Sequence, residues 1–329
     1  GLRMVADAGT GLHWLSWVSP LGWVEQLQPL TDPRPWALLP IGGFTAVLVV
    51  LAVRLAGRRD LGASTWRDQT ERNPRPRLLS GSTGLTLRLR RWSVAWWTVA
   101  IATSGLLMGI IAKAAGTTIV GSSVQQVFSR LGVLGSGTST FLGITLLTLA
   151  VVIGFQGVAE LGGTRDEEAE GRLDHLLTSP VSRSRWLSGR LLVAIAALLL
   201  SGIAAGVFTW IGAAAEGSGL GISSMLSAGI NSVPPAIFVL GVGALVFGRW
   251  PLRASAAAYA VLGWSALIEL VGGFFAENHW VLDTSLFHQM TSAPAVVPNW
   301  QVNGVVAGLG LAAMAVGAYA FRRRDLQTE

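Results

Sequence analysis

The sequence has no cysteine, a single lysine (Lys113) and only 13% charged residues across 329 positions. Without cysteine there is no disulfide, no thiol nucleophile and no thiolate metal ligand, although compartment is left open. Soluble domains carry about 25% charged residues, so one or two water-facing globules are a poor description of this composition. Lys113 is flanked by Ala112 and Ala114, which excludes the Gly-x-x-x-x-Gly-Lys-Ser/Thr loop that cradles nucleotide phosphates. No Gly-x-Ser-x-Gly elbow occurs, and His13, His175, His279 and His288 show no His-Glu-x-x-His spacing. Gly217-Ser-Gly219-Leu-Gly221, Gly241-Val-Gly243 and Gly308-Leu-Gly310 fit no dinucleotide fingerprint, and glycines in such apolar surroundings serve close helix packing. These absences argue against a soluble enzyme, a hydrolase, a nucleic-acid binder and a disordered chain.

What the chain has instead is apolar length. Hydrophobic residues make up 51% of it, and the mean hydropathy is +0.53. The apolar residues come in runs of about 18–22, enough for a helix to cross a hydrocarbon layer of about 30 Å. Seven spans are expected, at 37–55, 93–112, 140–160, 187–211, 231–248, 254–274 and 302–321. The expected fold class is therefore all-α, a polytopic transmembrane helical bundle with about seven spans. Threading the chain through them places 20 of the 24 Lys and Arg residues on one side, among them Arg58, Arg90, Arg183, Arg190 and Arg324. Only Arg3, Arg34, Lys113 and Arg130 fall on the other. The positive-inside bias makes the first side, with the C-terminus, cytoplasmic in a multi-pass protein of the cell membrane. Trp36, Trp92, Trp186, Trp210, Trp250, Trp280 and Trp300 mark span ends, where an interfacial belt is expected.

Residues 11–30 are apolar but interrupted by Ser19-Pro20 and Gly22, which reads as a short re-entrant or interfacial hairpin. Residues 57–91 read as a cytoplasmic linker. Its end, Leu85–Arg91, is an interfacial helix whose arginines snorkel, although the alternation would equally fit a strand. An internal repeat organises the rest. Trp14-x4-Ser19 matches Trp280-x4-Ser285, Trp36 matches Trp300, and Arg58-Arg59-Asp60-Leu61 matches Arg323-Arg324-Asp325-Leu326, at offsets of 266, 264 and 265. On this reading 1–56 is the tail of a first transmembrane repeat and 92–329 a second, six-span repeat, parallel to it about an axis along the membrane normal. About 170 residues would then be missing upstream, from a chain of about 500.

The segment Gly163–Trp186 holds five of the 18 acidic residues. Thr164 and Glu167 have capping-box spacing, so a helix is expected to start there. Leu173, Leu176 and Leu177 give it one apolar stripe, Pro180 ends it, and Ser182 caps the next span, which enters the membrane at Trp186. Such a peg suits either a lipid surface or a protein partner, and its carboxylates, which anionic headgroups would repel, favour the protein.

Glu167-Glu168-x-Glu170-Gly171-Arg172 followed by Leu176-Leu177-x-Ser179-Pro180-Val181-Ser182-Arg183-x-x-Trp186 resembles the coupling segment of actinobacterial ABC-2 type exporter permeases. The nearest kind is the two-repeat polyketide antibiotic or multidrug (tetronasin-type) efflux permease. The Ser19-Pro20-Leu21-Gly22-Trp23 hairpin and the terminal Arg-Arg-Asp-Leu are similar to that family too, with Leu286 where a second proline would be expected. The resemblance implies a type V exporter-like repeat and a non-enzymatic permease that exports hydrophobic or amphipathic, antibiotic-like compounds. It also implies a separate nucleotide-binding ATPase subunit, a homodimer, that carries ATP and Mg while this chain binds no cofactor. Other implied partners are the N-terminal half of the same permease, membrane lipid and a hydrophobic small molecule, with no nucleic acid. Carried onto this chain, docking of the ATPase falls to Glu167, Glu168, Glu170, Gly171, Arg172, Leu176, Leu177, Pro180, Arg183 and Trp186.

Glu269 stands inside an apolar span, where a charge costs at least about 2.5 kcal/mol unless it faces a cavity or partner. It is a candidate for the substrate path. In the alternative reading it is the proton site of a secondary transporter.

Overall fold

The computed structural model describes residues 23–24, 36, 38–57, 81–119, 137–169, 182–271 and 279–324. Every regular element among them is a helix: α1 (Leu38–Gly57), α2 (Ser82–Ile119), α3 (Gly137–Ala169), α4 (Arg183–Ala215), α5 (Ile222–Asn231), α6 (Val233–Phe247), α7 (Pro251–Val271), α8 (His279–Leu282) and α9 (Trp300–Arg322). The chain divides into two compact units, Gly1–Arg75 and Pro76–Glu329. In the first, α1 is apolar up to Arg54 in its last turn, and Phe44 meets Trp23 edge-on with ring centroids 5.7 Å apart.

The second unit contains six helical segments long and apolar enough to cross a membrane, at Thr83–Gly116, Gly137–Arg165, Arg183–Ala215, Ile222–Phe247, Pro251–Val271 and Trp300–Arg322. They agree with the last six expected spans, with three differences that have physical causes. The expected interfacial helix at 85–91 is not separate. It forms the first turns of α2, a 38-residue helix that runs on into the span. The expected start at 231 is too late, because α5 adds a helical stretch rich in serine. Ser224 and Ser227 return their hydroxyls to the carbonyls of Gly221 and Ser224, both at 2.8 Å, so their polarity is used within the helix. The break between α5 and α6 at Ser232 is set by Pro234 and Pro235, which suit a helix start but not its interior.

The third difference concerns Thr164. The capping-box spacing does not mark a helix start, since α3 is continuous through Ala169. The Thr164 hydroxyl bonds back to the Glu160 carbonyl at 3.0 Å, an interior helical contact. Ser182, in contrast, caps α4 as expected and accepts from the Arg185 amide at 3.3 Å.

α3 is the central helix and packs on α2, α4, α6 and α7. Around it, α2 pairs with α4 and α6 with α9 through small residues. A Cβ added at Gly212 of α4 would lie 2.8 Å from the Ile110 amide nitrogen and 3.0 Å from Gly109 Cα of α2. Only glycine permits that approach, the usual basis of helix association where lipid removes the hydrophobic driving force. Gly241 and Gly310 bring α6 and α9 together in the same way. Gly217 and Gly219 do something else. They hold φ of +68° and +71° in the turn after α4, and the amides of Gly217 and Ser218 cap the carbonyls of Ala214 and Ala213 at 3.0 and 3.1 Å.

Candidate functional site

The successive helices alternate in direction, so the N-termini of α2, α4 and α7 gather with the C-termini of α3, α6 and α9 at one end of the second unit. This end is rich in arginine, and the ordinary fate of a charge at an apolar boundary is to reach water or a partner. Several instead turn inward and form a knot of charge and aromatic rings.

One half of the knot joins α2 to α3. The Arg90 guanidinium pairs with the Glu160 carboxylate, Nε to Oε2 at 3.4 Å, and donates from Nη2 to the Glu160 backbone carbonyl at 3.0 Å. Glu160 is only 5% exposed. Gly163, one turn on, makes room for that guanidinium, because a Cβ there would overlap Arg90. Arg190 of α4 is also buried, with its guanidinium 5.4 Å from the centre of the Trp186 ring.

The other half joins α3 and α4 to α9. Glu168 is 3% exposed and pairs with Arg324, just past the end of α9. The Arg324 guanidinium lies over Phe247 and Phe321, at 5.4 and 5.2 Å from their centroids. Its backbone carbonyl accepts from Arg183 Nη1 at 2.8 Å. Phe321 stacks on Phe247 at 5.5 Å and meets Trp186 at 5.9 Å. A buried pair held by added hydrogen bonds and rings is costly to open from one side, about 3–5 kcal/mol when one partner is removed.

These contacts fix both roots of the acidic segment between α3 and α4. Glu167 lies on the last described turn of α3. Glu168, Arg183 and Trp186 belong to the knot, whereas Glu170, Gly171, Arg172, Leu176, Leu177 and Pro180 lie outside the described residues. Trp186 departs from the interfacial belt: it is 2% exposed, while Trp92, Trp250, Trp280 and Trp300 are exposed. Sequence reading did not foresee the pairing of Arg90 with Glu160 or of Arg324 with Glu168. The available signal was Glu160 itself, a carboxylate at the end of an apolar run that needs a cation close by.

Glu269 lies at the opposite end of the unit, near the C-terminus of α7. There the 283–298 segment packs back onto the bundle and buries Phe287, Met290 and Ala293. Ser285 donates its hydroxyl to the Ser265 carbonyl at 3.0 Å and accepts from the Phe287 and His288 amides at 3.2 and 3.3 Å. In return, the Leu286 amide donates to Ser265 Oγ at 3.2 Å. That donor explains why leucine stands where the repeat leads one to expect proline, which has no N–H to give. Asn231 donates to the Thr291 carbonyl at 2.9 Å and accepts from Asn303 at 2.7 Å, tying the segment to α5 and α9. Thus Glu168, Arg183 and Trp186, among the residues expected to dock a partner, are not brought together with Glu269.

Residues 79–322 match the family described as Multidrug efflux system permease Rv1217c, C-terminal domain. The multidrug efflux system permease protein Rv1217c of Mycobacterium tuberculosis is 31% identical over 336 residues, an alignment covering 99% of this chain and 60% of that protein. The chain therefore spans about 60% of the length of the curated relative it matches. With six membrane-length apolar helical segments in the matched region, this multi-pass membrane protein belongs to the Rv1217c multidrug efflux permease family, through that family's C-terminal domain.

Proposed function

We propose that the chain serves as a permease of an ATP-binding cassette exporter, moving hydrophobic or amphipathic compounds out of the cell while a separate subunit hydrolyses ATP. On this reading the arginine-rich end and the C-terminus are cytoplasmic, in the cell membrane. The observation that carries it is the knot, which anchors both ends of the acidic 170–181 segment to α9. A segment that only rested on lipid would need no such anchoring. A segment that receives force does, because the load must pass into the helices rather than bend the chain.

The proposed docking surface is formed by Glu167, Glu170, Gly171, Arg172, Leu176, Leu177 and Pro180, with Glu168, Arg183 and Trp186 as its roots. α3 supplies the lever. From Glu168 to Gly143 it spans about 38 Å at 1.5 Å per residue. At Gly143 an added Cβ would lie 3.1 Å from the Ser292 carbonyl, so movement of the rod bears directly on the segment after Asp283. ATP-driven closure of the partner subunits would tilt α3 and α4 and release that segment as an outward gate. The two-repeat, type V organisation belongs to the same proposal and supplies a dimeric ATPase with two docking points.

The test is Glu167→Lys in the full-length permease, reconstituted with its ATPase in proteoliposomes. The variant should fold normally but lose both transport and permease-stimulated ATP hydrolysis. Export at the wild-type rate would remove the docking assignment. Export that needs no ATP and collapses with a protonophore would favour proton coupling through Glu269.

A further inference from the structure

The end of the bundle opposite the knot holds a cavity of about 180 Å³ walled by the returning segment. Its lining includes Glu269 of α7 together with His288, Thr291 and Ser292 of the returning segment, and apolar Phe287 and Met290. The geometry points to a subsite for the protonated amine of an amphiphilic substrate, with the Glu269 carboxylate as counter-ion. This rests on the export reading, to which it adds a substrate class.

Placement is the first argument. Ser265 and Glu269 are four residues apart on α7 and so share one helical face. The clasp between Ser265 and Ser285 therefore brings the returning segment to the side of α7 that bears the carboxylate. The His288 amide is held by Ser285, and the Thr291 carbonyl by Asn231, so the wall opposite Glu269 is fixed by hydrogen bonds. The Thr291 hydroxyl oxygen is itself buried and has no hydrogen-bond partner in the structure. Ser292, also in the lining, is the residue that α3 touches through Gly143.

Charge and size are the second. The described lining has one carboxylate, one imidazole and no arginine or lysine, so an anion would meet the Glu269 charge with no guanidinium or ammonium group to offset it. A hard inorganic cation would seek six or more oxygen ligands, and this wall is partly Phe287 and Met290. An ammonium group needs only the carboxylate and one or two hydroxyl acceptors, and its first methylenes suit the apolar part. Pockets that enclose a whole drug-sized molecule run to about 300–1,000 Å³. This cavity accommodates the charged end alone, leaving the hydrophobic remainder outside it.

The experiment uses the full-length permease, purified in detergent without ATP, and two probes with the same terminal fluorophore: a dodecylamine and a dodecanol. Fluorescence anisotropy should show the amine binding about tenfold more tightly, or about 1.4 kcal/mol. Such a preference lies between the values for exposed and buried ion pairs. Glu269→Gln should make the two probes equal. Thr291→Val should weaken the amine about threefold with little effect on the alcohol. Equal binding by the wild type overturns the proposal, as does a preference that survives Glu269→Gln. If Glu269→Gln does not elute as a monodisperse species, the Thr291→Val result decides instead. Failure of ATP-driven export alongside an intact amine preference would sink the transport reading and leave the subsite standing.

Discussion

Replacing Arg324 with leucine tests the knot directly. The substitution leaves the Glu168 carboxylate at 3% exposure with its cation gone. Removing one member of a buried pair costs about 3–5 kcal/mol, because the remaining charge loses water and partner together. The guanidinium also covers Phe247 and Phe321, and each such contact adds about 0.5–1 kcal/mol, partly recovered by leucine packing. For a unit of this size 1 kcal/mol corresponds to about 2–4 °C in Tm, so Arg324→Leu should unfold about 10 °C below wild type. The sharper measurement is the cycle with Glu168→Leu. The double variant removes both charges and should recover most of the loss, since replacing a whole buried pair with apolar residues is often neutral or better. Thermal unfolding of the purified permease, followed by circular dichroism in one detergent, provides all four values. A fall of less than about 2 °C for Arg324→Leu would refute the claim that the pair is a buried anchor. Additivity of the two single changes within about 0.5 kcal/mol would refute it independently, because side chains in contact must couple.

Two further substitutions test other parts of the bundle. Leu286→Pro removes the amide that donates to Ser265 Oγ and should lower stability by about 1–3 kcal/mol, read from the same unfolding curves; an unchanged Tm would show that the clasp does not hold the returning segment. Gly212→Leu drives a side chain into the α2 backbone at Gly109 and Ile110 and should cost at least about 1–3 kcal/mol, with disulfide trapping between α2 and α4 cysteine pairs lost in parallel; wild-type trapping would show that the two helices do not depend on this approach.

The last six spans were legible because bilayer thickness is a one-dimensional constraint that a run of apolar residues either meets or does not, whereas the expected span at 37–55 is a shorter apolar helix, Leu38–Arg54. Where the reading went astray, the deciding fact was a neighbouring turn in two cases and a distant partner in the others. Thr164 and Glu167 have the spacing of a capping box, but three residues is also one turn inside any helix, and only the preceding residues decide between the two. Those residues belong to the span at 140–160, whose helix runs on without a break through Gly163 to Ala169. In α5 the deciding fact was local, since serines lowered the apparent hydrophobicity of a segment whose hydroxyls bond carbonyls three residues back. Tryptophan at a span end predicts an interfacial anchor, and most of these are exposed, but Trp186 meets Phe321 from a helix well over a hundred residues away. At the candidate site, the acidic character of the proposed docking segment was legible, whereas the burial of Glu168 was not, because its partner is 156 residues distant.

The arginines carry the last step. Arg90, Arg183, Arg190 and Arg324 are held inside the fold, which might be thought to weaken an orientation argument that counted them as free charge. Setting those four aside still leaves, in the expected threading, sixteen of the twenty against four on the other side. The subtraction is also too strict. Orientation is decided as each span inserts, when Arg90 has no Glu160 beside it and Arg324 has not met Glu168, so every one of these charges resists translocation at that moment. Burial follows only when the helices associate and the carboxylates arrive. In the orientation proposed above, the same residues therefore act twice, first to hold their end of each span on one side of the membrane and then, paired and stacked, to bind the ends of five helices into one knot.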